Sequence, residues 1–281
     1  MSAVALEKSI RIAQALRHTG LEAGDARPLL QAVLGADRVF LVAHDDEPLS
    51  PGQAAAYYTF VKRRRTGEPV AYILGEREFY GLNFKVTPAV LIPRPETELL
   101  VELALARIPQ NKSCKVLDLG TGCGNVAVAL ARHRPLAQIN AVDYSAATLE
   151  VAKQNAQNLL GETNSIRFQQ SDWYAALNDE KFDLIVSNPP YVAASDPHLQ
   201  QGDLRFEPGP ALLAGSDGLE CIKHIASRAP RHLHGGGCLL FEHGYGQAEA
   251  CRSLLAASGF FNLFSAADLA GIPRVCGGQI A

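Results

Sequence analysis

The chain has 281 residues, of which 47% are hydrophobic and 20% are charged, a composition that can bury a core and excludes an intrinsically disordered protein. The formal net charge is −3, which gives no general attraction to nucleic acid or to an anionic membrane. The charged amino terminus and the lack of a long apolar stretch predict neither a signal peptide nor a membrane span, so we expect a cytoplasmic protein. The six cysteines show no paired spacing, and we predict no metal site.

The first part of the chain is predicted to be helical. Apolar stripes that end at glycine predict three helices, over residues 5–20, 25–35 and 51–67. Two short strands, "EREFYG" and "LNFKVTP", are predicted about a tight turn at Tyr80 and Gly81. We therefore predict a helical N-terminal domain over residues 1–75 and a β-hairpin connector over residues 76–92.

From residue 93 onward, predicted strands and helices alternate. The predicted strands are "CKVLDLG", "QINAVD", "IRFQQSD", "KFDLIVSN", "GGCLLFEHG", "FNLFSAAD" and "RVCGGQI". The predicted helices cover residues 96–108, 125–133, 146–161, 218–233 and 247–260. Such alternation is typical of a mostly parallel sheet with helices on both faces. We predict that residues 93–281 form a doubly wound, Rossmann-like α/β domain with a mostly parallel seven-stranded sheet.

A glycine-rich segment, "LDLGTGCGN", lies where the first strand of this domain turns into a helix. Glycine lets a ligand approach the backbone, and the helix start offers unpaired N–H groups. A dinucleotide loop would place glycine at position 125, where this chain has Asn125. The pattern D-x-G-x-G-x-G instead resembles the first motif of S-adenosylmethionine-dependent methyltransferases. That resemblance implies cofactor binding by the loop residues Gly120, Thr121, Gly122, Cys123 and Gly124.

Asp143 and Trp173 follow the next two predicted strands. A carboxylate at the end of a strand can accept both hydroxyl groups of a ribose, and the alternative for Asp143 is the N-cap of the next helix. Trp173 is the only tryptophan, and its ring either lies against a purine or covers the edge of the core. Asp172 is either an acceptor for the adenine amine or a helix cap. We predict that Asp143 binds ribose and that Trp173 contacts the cofactor.

The segment Ser187-Asn188-Pro189-Pro190-Tyr191 ends the predicted strand "FDLIVSN". In a doubly wound sheet this strand returns beside the first strand, which places Asn188 next to the glycine loop. The Asn188 side-chain carbonyl and the Pro189 main-chain carbonyl can accept the two N–H bonds of a planar amide or amine. Proline fixes the direction of that carbonyl, and Tyr191 offers a flat wall. The alternative is an ordinary Asn-Pro-Pro turn.

This segment contains no acid, base or thiol, so it predicts a site that works by orienting the substrate. A planar nitrogen is a poor nucleophile because its lone pair is delocalised. Holding both of its N–H bonds directs the lone pair toward a methyl donor and places dipoles where charge develops. We predict four catalytic residues, with Asn188 also in contact with the cofactor: Asn188, Pro189, Pro190 and Tyr191.

Long segments of the chain together resemble the bacterial release factor glutamine methyltransferases, nearly from end to end. They are "GEPVAYILGEREFYGLNFKVTPAVLIPRPETELLVE", "DLGTGCGNVAVAL", "QQSDWYAAL", "SNPPYV" and "RFEPGPALLAGSDGL". The resemblance implies N5-methylation of the glutamine in the Gly-Gly-Gln loop of class 1 peptide chain release factors. S-adenosyl-L-methionine would be the donor and S-adenosyl-L-homocysteine the product. It also implies that the helical N-terminal domain helps to dock the release factor, and we expect a monomer that binds no nucleic acid.

Two rival functions remain at this point. DNA adenine methyltransferases share the Asn-Pro-Pro-Tyr motif, but they need a basic groove for DNA, and the slightly acidic charge balance disfavours one. A non-catalytic cofactor sensor would not need a clamp for an amide.

Several other features have two interpretations. The cluster Lys62–Arg65 is either an ordinary helix end or a docking surface for an acidic partner. Arg94 either borders the cofactor pocket or only precedes a helix that starts at Pro95. Glu207, on a long irregular stretch that is a natural lid, either bonds a substrate loop or anchors the lid. The tripeptide Gly277–Gln279 copies the motif that the family modifies, and we interpret it as part of the last strand, out of reach of the site.

Overall fold

The computed structural model describes residues 10–163 and 165–281. The chain divides into two compact units, with the boundary after Gly75. Among the described residues, no helix is long and apolar enough to cross a membrane. The β-hairpin at the start of the second unit belongs to that unit.

The described part of the first unit is helical. Its helices are α1 (Ile12–Arg17), α2 (Ala23–Leu34), α3 (Arg38–Ala43), α4 (Pro51–Arg65) and α5 (Val70–Leu74). Their buried apolar side chains form one core, which includes Leu29, Leu30, Tyr57 and Val61.

Helices α2 and α4 confirm two of the predicted helices. Helix α4 begins after Ser50, whose hydroxyl accepts a hydrogen bond from the Gln53 N–H group, and α2 ends at Gly35 in the left-handed conformation. Residues 5–9 of the first predicted helix lie outside the described residues. Helices α3 and α5 were not predicted because six and five residues are too few to show an apolar stripe.

The basic cluster at the end of α4 is bonded within the first unit. Its three arginines each have a partner: Arg63 pairs with Glu68, Arg64 with Asp25, and Arg65 with the carbonyl of Thr19. These contacts tie the end of α4 to α2 and to the loops beside it. They favour the interpretation of the cluster as a helix end over that of a docking surface.

The second unit contains nine strands and five helices in the described chain. The strands are β1 (Glu76–Phe79), β2 (Leu82–Lys85), β3 (Cys114–Leu119), β4 (Ala137–Asp143), β5 (Arg167–Gln170), β6 (Phe182–Ser187), β7 (Leu233–Glu242), β8 (Phe261–Ala267) and β9 (Pro273–Gln279). The helices are α6 (Glu98–Leu105), α7 (Asn125–His133), α8 (Ala146–Leu160), α9 (Glu220–Arg228) and α10 (Ala248–Ala257).

Seven of these strands form the main sheet, in the order β5-β4-β3-β6-β7-β9-β8. Strands β3 to β7 are parallel, and β9 runs antiparallel to both β7 and β8. Helix α7 contacts both α6 and α8, and α9 contacts α10, and these helices pack against the sheet. The predicted doubly wound, mostly parallel seven-stranded sheet is therefore confirmed.

The remaining two strands, β1 and β2, form the predicted hairpin. Its turn places Tyr80 at φ 51° and Gly81 at φ 73°. Asn155 bonds the hairpin to helix α8. Its Oδ1 accepts from the Lys85 N–H group at 2.8 Å, and its Nδ2 donates to the Lys85 carbonyl at 3.0 Å. The same Nδ2 donates to the carbonyl of Cys123 at 2.8 Å, so one buried amide joins the hairpin to the glycine loop.

Two sequence predictions near the C-terminus have different outcomes. The helix predicted over residues 218–233 was too long, because Pro230 cannot continue an α-helix. The helix stops at Arg228, a 3₁₀ turn follows, and Leu233 begins β7. The prediction that Gly277–Gln279 lie in the last strand is confirmed. Gln279 pairs with Cys238, whereas the carboxyl end of β7, at Glu242, pairs with Val275.

The three hydrogen bonds of Asn155 predict a large loss of stability in Asn155→Ala, since the backbone groups of Lys85 and Cys123 would be buried without partners. We expect the free energy of unfolding to fall by about 2–4 kcal/mol in urea titrations. Gln154→Ala is the matched control, because it removes an exposed hydrogen bond to the same Lys85 and should change stability by less than about 0.5 kcal/mol. Equal effects of the two substitutions would contradict this role of Asn155.

Candidate active site

The candidate site lies at the switch point of the sheet, between β3 and β6, where the order in which the strands are added reverses. Strand β3 pairs with β4 on one side and with β6 on the other, and Leu119 is opposite Ser187. The Ser187 hydroxyl donates to the Leu119 carbonyl at 2.7 Å. Gly120 and Asn188 therefore leave adjacent strands side by side, as the sequence predicted. Crevices at such switch points are where ligands bind in open α/β sheets.

The three loop glycines have left-handed φ angles, 72° at Gly120, 57° at Gly122 and 83° at Gly124. A Cβ atom on Gly122 would meet no atom within 4 Å, so the backbone faces open space there. A Cβ atom on Gly124 would lie 3.2 Å from the Cβ atom of Ala152, so this glycine serves the close packing of the loop against α8. The loop thus leaves room for a ligand at Gly122.

The other loop side chains point inward. The Thr121 hydroxyl donates to Asp118 Oδ2 at 2.6 Å, and burial raises the pKa of Asp118 to about 7 against the opposing effect of that bond. Cys123 is buried, and burial raises its thiol pKa to about 12. Thr121 and Cys123 can therefore offer a ligand only their backbone groups.

Asp143 ends β4 and supports the glycine loop. Its Oδ2 accepts from the Gly122 N–H group and its Oδ1 from the Ser145 N–H group, both at 3.0 Å. Burial raises its pKa, and these backbone bonds oppose the rise. The N-cap of α8 is Ser145, whose hydroxyl accepts from Thr148, so Asp143 is not the cap. A carboxylate has about four acceptor positions, so two remain for another donor.

Trp173 follows β5 and lies beside the glycine loop. Its ring packs partly against the core and comes within 3.8 Å of where a Cβ atom of Gly120 would be. Its φ of 51° is unusual for a bulky residue and costs on the order of 1–3 kcal/mol. Such strain is typical of functional positions. Among the described residues, none donates to the Asp172 side chain, so the structure shows no helix cap there.

Asn188 is half-buried, and its amide has a defined orientation. Its Nδ2 donates to the Thr97 hydroxyl oxygen at 3.0 Å. In the described chain, no group donates to Asn188 Oδ1 or to the main-chain carbonyl of Pro189. Two acceptors without partners therefore follow β6 where it ends beside the glycine loop, and an NH₂ group needs two acceptors.

The Tyr191 hydroxyl is held by a carboxylate that the sequence analysis did not identify. The Tyr191 hydroxyl donates to Glu242 Oε1 at 3.0 Å. Thr97 and Glu242 were both missed as site residues. The signal for Glu242 was available, because it is the last residue of an apolar strand, β7, which lies beside β6 with Phe241 paired to Ser187. Thr97 carried no comparable signal.

The segment after Tyr191 is held close to the sheet. Gln247 Nε2 donates to the Tyr191 carbonyl at 3.1 Å, and a Cβ atom on Gly218 would lie 2.5 Å from that oxygen. Further along, Arg94 pairs with Glu207 at 2.5 Å, and the Glu207 side chain is fully buried. The pair supports the interpretation of Glu207 as an anchor for this segment.

Two family models match the chain. The "Methyltransferase small domain" model matches residues 96–216, and the "PrmC N-terminal domain" model matches residues 10–75. Among solved structures, the T. thermophilus 16S rRNA N2 G1207 methyltransferase, in complex with AdoMet and guanosine, is 21% identical and has a TM-score of 0.54. The match covers 73% of this chain and 50% of that one, and it shows the fold alone.

The curated relatives are much more similar in sequence. The release factor glutamine methyltransferase of Burkholderia pseudomallei is 50% identical over 272 residues, which is 95% of each chain. That of Bordetella pertussis is 49% identical over 266 residues, 94% of this chain and 97% of the relative. At this identity and coverage, the chain belongs to the release factor glutamine methyltransferase family.

Proposed function

We propose that the protein transfers a methyl group from S-adenosylmethionine to the side-chain amide nitrogen, N5, of the glutamine in the Gly-Gly-Gln motif of class 1 release factors. The observation that carries the proposal is the pair of free acceptors, Asn188 Oδ1 and the Pro189 carbonyl, beside the glycine loop. The family membership of the chain identifies glutamine as the amide. No base needs to remove a proton beforehand, because the two acceptors orient the nitrogen. Methyl transfer would form the N–C bond as the C–S bond of the sulfonium breaks, and the nitrogen would then release one of its two N–H protons to solvent.

The cofactor proposal rests on the loop and on Asp143. S-adenosylmethionine supplies a methyl group activated by its attachment to a sulfonium. The open backbone at Gly122 gives room for the ligand, and the two remaining acceptor positions of Asp143 suit the two hydroxyl groups of a ribose. Trp173, beside Gly120, provides a flat apolar surface for a purine.

The roles of the four motif residues follow from their positions. Asn188 and Pro189 accept the two N–H bonds of the glutamine amide. Pro190 fixes the chain direction after that carbonyl, since its φ angle is restricted. Tyr191 limits the movement of a planar group, because its hydroxyl is fixed to Glu242. Charge that develops on the amide nitrogen then meets carbonyl dipoles already in place.

The helical first unit, residues 1–75, is proposed to help dock the release factor, and residues 93–281 to form the catalytic domain with the hairpin as connector. The match of residues 10–75 to a domain model specific to this kind of protein supports that assignment. We further propose that the protein acts as a monomer in the cytoplasm, without nucleic acid as a partner. A DNA methyltransferase would require a basic groove, and the net charge of −3 does not favour one.

The proposed function is tested by incubating the protein with radiolabelled S-adenosylmethionine and either a class 1 release factor or duplex DNA. We expect label on the release factor at the glutamine of its Gly-Gly-Gln motif, located by mass spectrometry. A release factor with that glutamine replaced by alanine is the control and should stay unlabelled. Label on DNA alone would establish the rival function, and transfer to neither would favour a cofactor sensor.

Asn188→Ala should reduce turnover strongly, because it removes one of the two acceptors that orient the amide. We expect kcat to fall by about 10²–10³-fold while the Kd for S-adenosylmethionine changes little. Asn140→Ala is the matched control: it removes a half-buried asparagine of the same sheet, bonded to Glu180, and should leave kcat unchanged. A preserved kcat in Asn188→Ala would exclude the proposed clamp.

Asp143→Ala should have the opposite profile. Loss of the carboxylate removes the acceptors proposed for ribose and the support of Gly122, so we expect the Kd for S-adenosylhomocysteine to rise on the order of 10²-fold in calorimetry. Asp183→Ala, which removes a carboxylate bonded to the Lys115 N–H group near the start of β3, serves as the control. An unchanged Kd in Asp143→Ala would remove this residue from the cofactor site.

A further inference from the structure

Glu242 is a buried carboxylate that has been described so far only as the partner of the Tyr191 hydroxyl. It is 1% exposed and ends β7, the strand next to β6. Phe241 is paired with Ser187, so Glu242 leaves its strand directly beside Asn188. The sheet register thus places a carboxylate beside the start of the Asn-Pro-Pro-Tyr segment.

Two groups of the site interact with this carboxylate. The Tyr191 hydroxyl donates to Oε1 at 3.0 Å. The second oxygen, Oε2, is buried and has no hydrogen-bond partner among the described residues. The Thr97 hydroxyl is close enough to lower the pKa of the carboxylate. Thr97 is itself 1% exposed and accepts from Asn188 Nδ2 at 3.0 Å.

No lysine or arginine forms an ion pair with Glu242 in the described chain. Burial is the largest effect on Glu242 and raises its pKa, and the hydroxyl groups of Thr97 and Tyr191 oppose the rise, as does the charge of Arg274, whose guanidinium is bonded to Asp268. A buried carboxylate without an ion-pair partner costs folding energy, which these groups offset in part.

We propose that Glu242 is a positioning residue for methyl transfer, which fixes Asn188 through Thr97 and fixes Tyr191 directly. The inference rests on the proposed function, because it assigns Glu242 to the amide clamp of that reaction. Glu242 does not touch the substrate or the cofactor in this role.

The direction of the hydrogen bonds explains how Glu242 determines the orientation of the Asn188 amide through Thr97. In its ionised form Glu242 only accepts, and its unpartnered Oε2 is the acceptor that we assign to the one hydrogen of the buried Thr97 hydroxyl. The Thr97 oxygen is then left to accept, and the Asn188 group that faces it must be the NH₂ end of the amide. Asn188 Oδ1 is consequently directed away from Thr97, free to accept from the glutamine.

Without the carboxylate, nothing would determine this direction. The Thr97 hydroxyl would be free to donate to Asn188 Oδ1, and the amide would turn its NH₂ end toward the substrate. Two donors would then face each other across the site. Glu242→Gln produces this ambiguity with little change in shape, because glutamine has one accepting oxygen and one donating nitrogen and cannot accept from both Thr97 and Tyr191.

The test compares Glu242→Gln with a matched pair at position 97. Thr97→Val keeps the shape but removes the hydroxyl, whereas Thr97→Ser keeps it. We expect Glu242→Gln and Thr97→Val each to lower kcat on the order of 10- to 100-fold, with the Kd for S-adenosylhomocysteine unchanged. Thr97→Ser should restore most of the kcat that Thr97→Val loses. Equal kcat values for Thr97→Val and Thr97→Ser would overturn the proposal.

Two further measurements distinguish the proposed positioning role of Glu242 from a purely structural one. Tyr174→Phe removes another buried phenol hydrogen bond, to the carbonyl of Ile225, and should lower the melting temperature without lowering kcat. In a double-mutant cycle, Glu242→Gln should lower kcat much less in the Thr97→Val background than in the native chain. Full additivity of the two substitutions would contradict a shared path to Asn188.

Crystal structures of the variants decide the inference even if the proposed function fails. If the native protein methylates no release factor, the proposed function is wrong. The inference then stands if Asn188 changes its amide orientation or position in Glu242→Gln and Thr97→Val but not in Thr97→Ser. An unmoved Asn188 with the same hydrogen-bond geometry in all three variants would contradict it.

Discussion

The pairing of β3 with β6 is the constraint on which the site depends. Parallel strands bring their carboxyl ends to one edge, and the chain reverses its direction of winding between these two strands. The Ser187 hydroxyl, bonded to the Leu119 carbonyl, holds the two strand ends together where the glycine loop and the Asn-Pro-Pro-Tyr segment begin. A shift of one residue in this register would exchange the faces of the strand and separate Asn188 from Gly120.

Around this pairing, buried polar side chains of the second unit hold both the glycine loop and the Asn-Pro-Pro-Tyr segment in place. Asn155 links the hairpin to the carbonyl of Cys123, and Asp143 supports the loop at Gly122. On the other side, Glu242 lies under Asn188 and Tyr191. The groups that would meet the substrate, two carbonyl oxygens, are weak dipoles, so their effect depends on being held in place before the substrate arrives. This explains why so many buried polar groups surround a site whose proposed contacts to the amide are neutral.

The sequence predicted the sheet and the position of the site because both depend on strong local signals. Apolar runs that end in glycine or proline marked the strand ends around Gly120 and Asn188, and the doubly wound topology brought them together. It did not predict the short helices α3 and α5, the end of α9 at Arg228, or the strain at Trp173, since these depend on short segments and tertiary packing. Thr97 and Glu242 were missed for a further reason. Glu242 ends an apolar strand, which is a local signal for its position, but the contacts of the two residues to Asn188 and Tyr191 join residues 91 and 51 positions apart, and no local pattern specifies these partners.

The most direct test of the central claim is a crystal structure of the protein with S-adenosylhomocysteine and a class 1 release factor. The account predicts that Asn188 Oδ1 and the Pro189 carbonyl both lie about 2.7–3.2 Å from the side-chain nitrogen of the glutamine, with Asn188 Nδ2 still bonded to Thr97. A glutamine nitrogen bound by other groups, or an Asn188 oxygen occupied by a donor from within the fold, would contradict it.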